Sequence, residues 1–102
     1  MSAKAEERIA ELRATIAAER KAVADLAAKA PALKSQIADV TSMLDLVEGG
    51  CLDPKVLGYP PRDEAAWKYW LDSTAALLAP AVARRKYFED LVAKMGPDIK
   101  TF

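Results

Sequence analysis

Few side chains in this chain could carry out catalysis, because it contains one cysteine, Cys51, and no histidine. A serine or cysteine nucleophile normally needs a neighbouring base, which is most often histidine. The adjacent carboxylates Asp63 and Glu64 stand where a helix is expected to begin, and a negative charge there stabilises the helix dipole. The common zinc ligand sets also lack their histidines. The sequence therefore predicts a non-enzymatic protein without metal or cofactor, in which Cys51 is a small buried residue.

A short basic segment, Arg84, Arg85 and Lys86, precedes two aromatic residues. Cations beside aromatic rings can contact phosphates and stack on bases, so this segment is the best candidate for a nucleic-acid contact. The whole chain is neutral, with 15 basic and 15 acidic residues, and has no overall field that attracts nucleic acid. We therefore interpret the segment as a solvated helix face, with Arg84 close to a carboxylate such as Glu19.

Aromatic residues are concentrated in the segment WKYW, residues 67–70. Trp67 and Trp70 share one face of a helix and are expected in the core. Tyr69 points elsewhere, and exposed aromatic side chains are favoured anchors at protein interfaces. We predict a partner-binding patch at the acidic loop end of the molecule, formed by Tyr59, Pro60, Pro61 and Tyr69.

Two long helical patterns must position these residues. Large apolar side chains recur at alternating steps of three and four from Ile9 to Val47, which is a heptad pattern interrupted only by Glu19. Gly49-Gly50 ends this pattern, and a second begins near Asp63. The sequence predicts one all-α domain over residues 1–102, a long antiparallel helical hairpin with coiled-coil-like packing. Its parts are a helix over about 3–48, a structured loop over 49–62 and a helix over about 63–95.

Pro31 lies inside the first helical pattern, where a proline costs about 3 kcal/mol. Its neighbours include no Gly, Asn or Asp that would favour a turn, and the heptad phase continues past it. We therefore expect a single helix that is kinked near Pro31 and faces a second helix kinked near Pro80. If the chain instead breaks at one of these prolines, the alternative is a compact three- or four-helix bundle.

The hairpin would leave apolar surface uncovered, because the first helix is longer than the second and the second has a wide apolar stripe. Two parallel copies would bring like charges together, whereas antiparallel copies would not. The sequence thus predicts a homodimer. The expected self-association seam consists of Ile9, Leu12, Ile16, Leu71, Leu78 and Val92.

No apolar run approaches the roughly 20 residues that span a bilayer, and the N-terminus has no apolar signal-peptide region, so a cytoplasmic protein without membrane contact is expected. The predicted function is non-enzymatic: protein binding or structural assembly by a self-associating hairpin with a protein partner. Two alternatives remain open. One is a small viral or mobile-element inhibitor that sterically blocks a host complex, and the other is an accessory protein of a nucleic-acid assembly.

Overall fold

The computed structural model describes residues 3–52 and 61–95, and all of their regular structure is helical. The all-α prediction is therefore confirmed. The described residues form three helices, each of which packs against the other two, and a tight turn joins the first helix to the second. They are α1 (Ala3–Lys29), α2 (Lys34–Leu46) and α3 (Glu64–Met95), with a 3₁₀ turn at Pro31–Leu33 and a π-helical turn at Val47–Cys51.

The chain reverses direction at Pro31, so the prediction of one helix over residues 3–48 is wrong. The guanidinium of Arg20 in α1 lies 2.6 Å from the carboxylate of Asp45 in α2. In a continuous straight helix these residues would be about 37 Å apart at 1.5 Å per residue. The alternative of a bundle that breaks at Pro31 describes the fold.

The physical cause of the reversal is the pair Ala30-Pro31. Proline disfavours the helical conformation of the residue before it, and Ala30 adopts φ −132° and ψ 70°. The amide of Ala30 still donates to the carbonyl of Leu26 at 2.9 Å, which closes α1. The amide of Leu33 donates to the carbonyl of Ala30 at 2.9 Å, which closes the 3₁₀ turn. Pro31 occupies the first position of that turn, where a missing N–H costs little.

The last turn after α2 is held against the middle of α1. The amide of Leu52 donates to the carbonyl of Val47 at 3.2 Å. The carbonyl of Leu52 in turn accepts a hydrogen bond from the Arg13 guanidinium at 3.4 Å. Leu52 is itself buried, so this turn contributes to the core.

Helix α3 begins with a side-chain cap: a carboxylate oxygen of Asp63 accepts the amide hydrogen of Ala66 at 2.8 Å. The helix then continues through Pro80 to Met95, close to the predicted range. Arg8 lies near Asp72, and farther along both helices Glu19 binds Arg85. Contacts in this order show that α3 runs parallel to α1 and antiparallel to α2.

The resulting molecule is elongated. Its principal extents are 53 × 20 × 16 Å and its radius of gyration is 16.3 Å, compared with about 13 Å for a compact chain of this length. Helix α3, with 32 residues, accounts for about 48 Å of the long axis.

The core runs along the axis between the three helices and consists largely of residues from the two helical patterns, together with Leu52 from the turn after α2. The fully buried side chains with the largest volumes are Ile16, Ile37, Leu44, Leu52, Leu71 and Val40. Because α2 folds back against α1, the two halves of the first heptad pattern face each other as well as α3.

The residues expected in a self-association seam lie inside this single-chain core. Five of them are buried and Val92 is half-buried; the five are Ile9, Leu12, Ile16, Leu71 and Leu78. Since α3 runs alongside α1 from near its first turns, the apolar overhang that motivated the seam does not exist. The structure thus corrects this assignment, because these side chains pack within one chain.

Candidate interaction surface

The predicted loop-end patch is only partly within the described residues. Tyr59 and Pro60 lie outside them. Pro61 is half-buried just before α3, whereas Tyr69 is 78% exposed on α3. The structure therefore shows an exposed aromatic residue at Tyr69, and the assembly of the four residues into one patch stays a prediction.

Of the residues considered for catalysis, Asp63 has described contacts, whereas the side chain of Cys51 does not. Asp63 caps α3, as described above. The side chain of Cys51 is not among those described, so its predicted burial stays a prediction. In the described part of the chain, no group of three or more carboxylate, cysteine or histidine side chains could hold a metal ion. No helix in that part is long and apolar enough to cross a bilayer.

The basic segment is divided between the core and the surface. Arg85 points inward and donates two hydrogen bonds to the carboxylate of Glu19, at 2.7 and 2.8 Å, and it also contacts Glu89. Hydrogen bonds with Glu19 raise the pKa of Arg85. Arg84 and Lys86 remain exposed. The partner of Glu19 is therefore Arg85 and not Arg84, and Arg85 is not available for a nucleic acid.

The sequence contains a signal for the pair of Glu19 and Arg85, but the prediction placed Arg84, the residue before Arg85, beside Glu19. Glu19 stands at a core position of the first heptad pattern. Arg85 lies seven residues after Leu78 and four after Ala81, both of which are buried. Two opposite charges at core positions of neighbouring helices indicate a buried ion pair.

A second charged cluster fixes the packing of α2 against α1. Arg20 lies 2.6 Å from Asp45 and 3.1 Å from Glu48. The hydrogen bond with Asp45 raises the pKa of Arg20, with a smaller effect in the same direction from Glu48. These charges therefore link α1 to α2 and to the turn that follows α2.

Helix α3 exposes a stripe of mainly uncharged side chains, with the cation Arg84 lying among them beside Pro80, Ala83 and Tyr87. Residues separated by three, four or seven positions share one face of a helix with 3.6 residues per turn. We define the α3 outer face as Tyr69, Ala76, Leu77, Pro80, Ala83 and Tyr87, all of them exposed. Its three large side chains are well exposed: Tyr69 at 78%, Leu77 at 55% and Tyr87 at 61%. From Tyr69 to Tyr87 the face is about 27 Å long.

A shallow apolar groove continues the α3 outer face toward α1. It lies beside the middle of α3 and is bordered at one end by the stem of Lys86. The lining residues are Leu12, Thr15, Ala75, Leu78, Ala79, Val82, Ala83 and Lys86. Most of this lining is aliphatic. The groove therefore adds apolar surface next to the middle of the outer face, where Ala76, Pro80 and Ala83 are small.

Charged side chains border one edge of the outer face in a regular order. Lys68 and Asp72 lie near the start of α3, and Lys86 and Asp90 lie near its end. At about 100° per residue, all four fall within a sector of about 40° on the same side of the helix. All are exposed, and Asp72 also lies 4.0 Å from Arg8.

The first turns of α1 and α3 form a separate cleft of about 400 Å³. Its apolar floor includes Ala5, Trp67 and Leu71, and charged side chains of both signs form its rim. Among the side chains that the structure describes, no buried polar atom lacks a hydrogen-bond partner. The cleft thus offers no unsatisfied buried polar group that would recognise a small molecule.

Two surfaces are distinct: the cleft and the α3 outer face, and the exposed cations Arg84 and Lys86 adjoin the outer face. Within residues 3–52 and 61–95, the outer face is the surface that combines large exposed apolar side chains with an ordered charged border. Comparisons of this chain with protein-family models, with curated proteins and with solved structures find no match.

Proposed function

We propose that this chain is a non-enzymatic protein-interaction module, in which a three-helix bundle presents the α3 outer face to another protein surface. The proposal is supported mainly by the exposure of Tyr69, Leu77 and Tyr87 along α3. The opposite face of the same helix is buried in the core. Most of the surface of these side chains lies outside the packed interior, although the Tyr87 ring also contacts the ring of buried Phe88, with 5.4 Å between the ring centroids.

The composition of the α3 outer face suits protein binding. Tyrosine is among the residues that contribute most to interface affinity, since it buries a large area and loses few rotatable bonds. The small residues Ala76, Pro80 and Ala83 between the tyrosines would let a partner backbone approach closely. A helix is rigid before it binds, so little conformational entropy is lost on association.

The charges around the face also favour a protein over a nucleic acid. Cations and carboxylates alternate along its edge, and such a mixed border orients a protein partner without attracting polyanions. With Arg85 bound to Glu19, Arg84 and Lys86 are what remains of the predicted basic segment. The neutral chain gives them no support from a wider positive field.

Self-association remains part of the proposal, but its location changes. The seam predicted from the sequence is buried within one chain. The α3 outer face is the surface that a second copy or a different protein would contact. Tyr69, which the sequence placed in the partner-binding patch, belongs to this face.

Site-specific photocrosslinking in cells that produce the protein tests the proposal. A photoreactive amino acid replaces Ala76 at the centre of the outer face, and in a matched control it replaces Ala24, an exposed alanine of α1. We expect a discrete crosslinked protein product from position 76 and none from position 24. Equal labelling from both positions, or no product from either, would contradict the proposal.

A second variant tests the contribution of the tyrosines. Replacing both Tyr69 and Tyr87 by serine should abolish the crosslink from position 76. Circular dichroism should meanwhile show an unchanged helix content, because both side chains are mainly exposed. A crosslink of undiminished yield would place the contact elsewhere.

A further inference from the structure

We propose that the occupant of the α3 outer face is a second copy of this chain, bound antiparallel about a two-fold axis beside Ala79. This inference rests on the proposed function and specifies its partner and its geometry. It is carried by the charges along one edge of α3 and by the order of large and small residues along the face.

The charged border is self-complementary in this arrangement. When two identical helices pair antiparallel about Ala79, residues at equal distances on either side of it meet. Lys68 and Asp90 lie 11 residues to either side of Ala79, and Asp72 and Lys86 lie seven. Each lysine thus faces an aspartate of the other copy, which gives four ion pairs in the dimer.

The side of the helix is also correct for these pairs. The two-fold axis is perpendicular to both helices and to the line that joins them. It leaves a given edge of α3 on the same lateral side of the interface in both copies, so residues of that edge can meet only residues of the same edge. The two lysines and two aspartates occupy the same edge, within a sector of about 40°. A parallel two-fold pair would instead place the charged edges of the two copies on opposite sides of the interface, where their lysines and aspartates could not pair.

The apolar residues fit the same axis. Tyr69 lies ten residues before Ala79 and Tyr87 lies eight after it. The tyrosine of one copy is therefore offset from that of the other by only about 3 Å along the helix. Between them Ala76, Pro80 and Ala83 leave room for the helices to approach to about 8 Å, the short end of normal helix packing.

The size of this interface predicts a weak dimer. The contact between two copies of α3 extends about 33 Å from Lys68 to Asp90 and is about one helix diameter wide. It would bury on the order of 1,000 Å² in total, which is at the low end for specific complexes. We expect a dissociation constant in the micromolar range.

Analytical ultracentrifugation of charge variants tests the register, with the complete chain at 1 to 500 μM in low salt. Lys68→Glu or Asp90→Lys alone would create two like-charged contacts across the dimer and should weaken it about tenfold. The double variant exchanges the charges and should restore the wild-type dissociation constant within about twofold. Among the described residues neither side chain forms an ion pair within the chain, so the monomer should be unaffected.

Lys21→Glu, a charge reversal on the exposed side of α1, is the matched control and should leave the dissociation constant unchanged. A wild-type chain that stays monomeric at 500 μM would overturn the inference. So would a dimer that is insensitive to Lys68→Glu, or a double variant that is weaker than both single ones.

These failures can be separated from failure of the proposed function. If the wild type is monomeric and position 76 crosslinks to a different protein, the second-copy inference is wrong and the interaction module stands. If position 76 gives no crosslink and the wild type is monomeric, both are wrong. A crosslink between two copies, with rescue by the charge exchange, supports both.

Discussion

Arg85 donates a hydrogen bond to each carboxylate oxygen of Glu19 across the contact between α3 and α1, with nitrogen to oxygen distances of 2.7 and 2.8 Å. The side chains are only 15% and 10% exposed, so the pair is largely removed from water. Glu89, one turn farther along α3, gives the guanidinium a second carboxylate at the surface. The single interruption in the first heptad pattern is thus an ion pair between two helices.

The two members of this pair should contribute unequally to stability. Arg85→Leu leaves Glu19 buried without a counter-charge and should lower the free energy of unfolding by about 3 kcal/mol or more. Glu19→Leu should cost less, since Arg85 keeps Glu89 and part of its hydration. The measurement is urea unfolding followed by circular dichroism.

The double variant Glu19→Leu/Arg85→Leu is the control for that experiment. An apolar pair of suitable shape often replaces a buried ion pair at little cost, so its stability should exceed that of Arg85→Leu alone. Equal and small losses, below about 1 kcal/mol in both single variants, would show that the pair is effectively hydrated.

The heptad pattern predicted the helical class and most of the core, but it could not predict the direction of the chain. The same apolar stripe can face a partner along one continuous helix or fold back on itself at a turn. The absence of Gly, Asn and Asp around Pro31 argued for continuity. That criterion failed because the reversal uses Ala30 at a negative φ, which any residue can adopt.

The reversal can be measured directly with pairs of spin labels in a Cys51→Ser background. Labels at the exposed positions Lys21 and Ser42 should lie within about 20 Å of each other, because α1 and α2 pack side by side at about 10 Å. A continuous helix would separate their backbones by about 31 Å. Labels at Lys68 and Asp90, both within α3, provide the reference for a long helical separation of about 33 Å. Excess unlabelled chain is added, because the proposed dimer would otherwise bring these two positions of different copies close together. Similar distances for the two pairs would contradict the three-helix fold.

The two prolines on which the sequence analysis concentrated should respond oppositely to alanine. Pro80 is exposed in the interior of α3, where it removes the hydrogen bond to the carbonyl of Ala76, so Pro80→Ala should raise the free energy of unfolding by about 1 to 3 kcal/mol. Pro31 begins the 3₁₀ turn, and Pro31→Ala should lower it by about 0.5 to 1 kcal/mol by freeing the unfolded chain. Thermal and urea unfolding at low protein concentration measure both. If the free energy of unfolding changed in the same direction in both variants, the two prolines would not have the opposite effects on stability that their positions predict.

The candidate surface was harder to predict than the core for a related reason. The apolar heptad positions mark the face that the chain buries within its own core. The outer face has its own seven-residue spacing, from Tyr69 to Ala76 to Ala83 and from Pro80 to Tyr87, but small residues give it little hydrophobicity. Only the folded arrangement shows that these positions remain exposed while their neighbours are covered.

Trp67 and Tyr69, two residues apart on α3, should separate stability from binding. Trp67 is 6% exposed, with its ring 6.3 Å from that of Trp70, and Trp67→Ala should lower the free energy of unfolding by about 3 to 5 kcal/mol. Tyr69→Ser should change it by no more than about 0.5 kcal/mol in the monomer, because 78% of Tyr69 is already exposed. Urea unfolding at about 1 μM, where the proposed dimer dissociates, makes this comparison. If Tyr69→Ser is as destabilising as Trp67→Ala, the tyrosine serves the fold and the outer face loses its main anchor. If Tyr69→Ser leaves the monomer intact and weakens association, the exposure of this ring is a property of the interface.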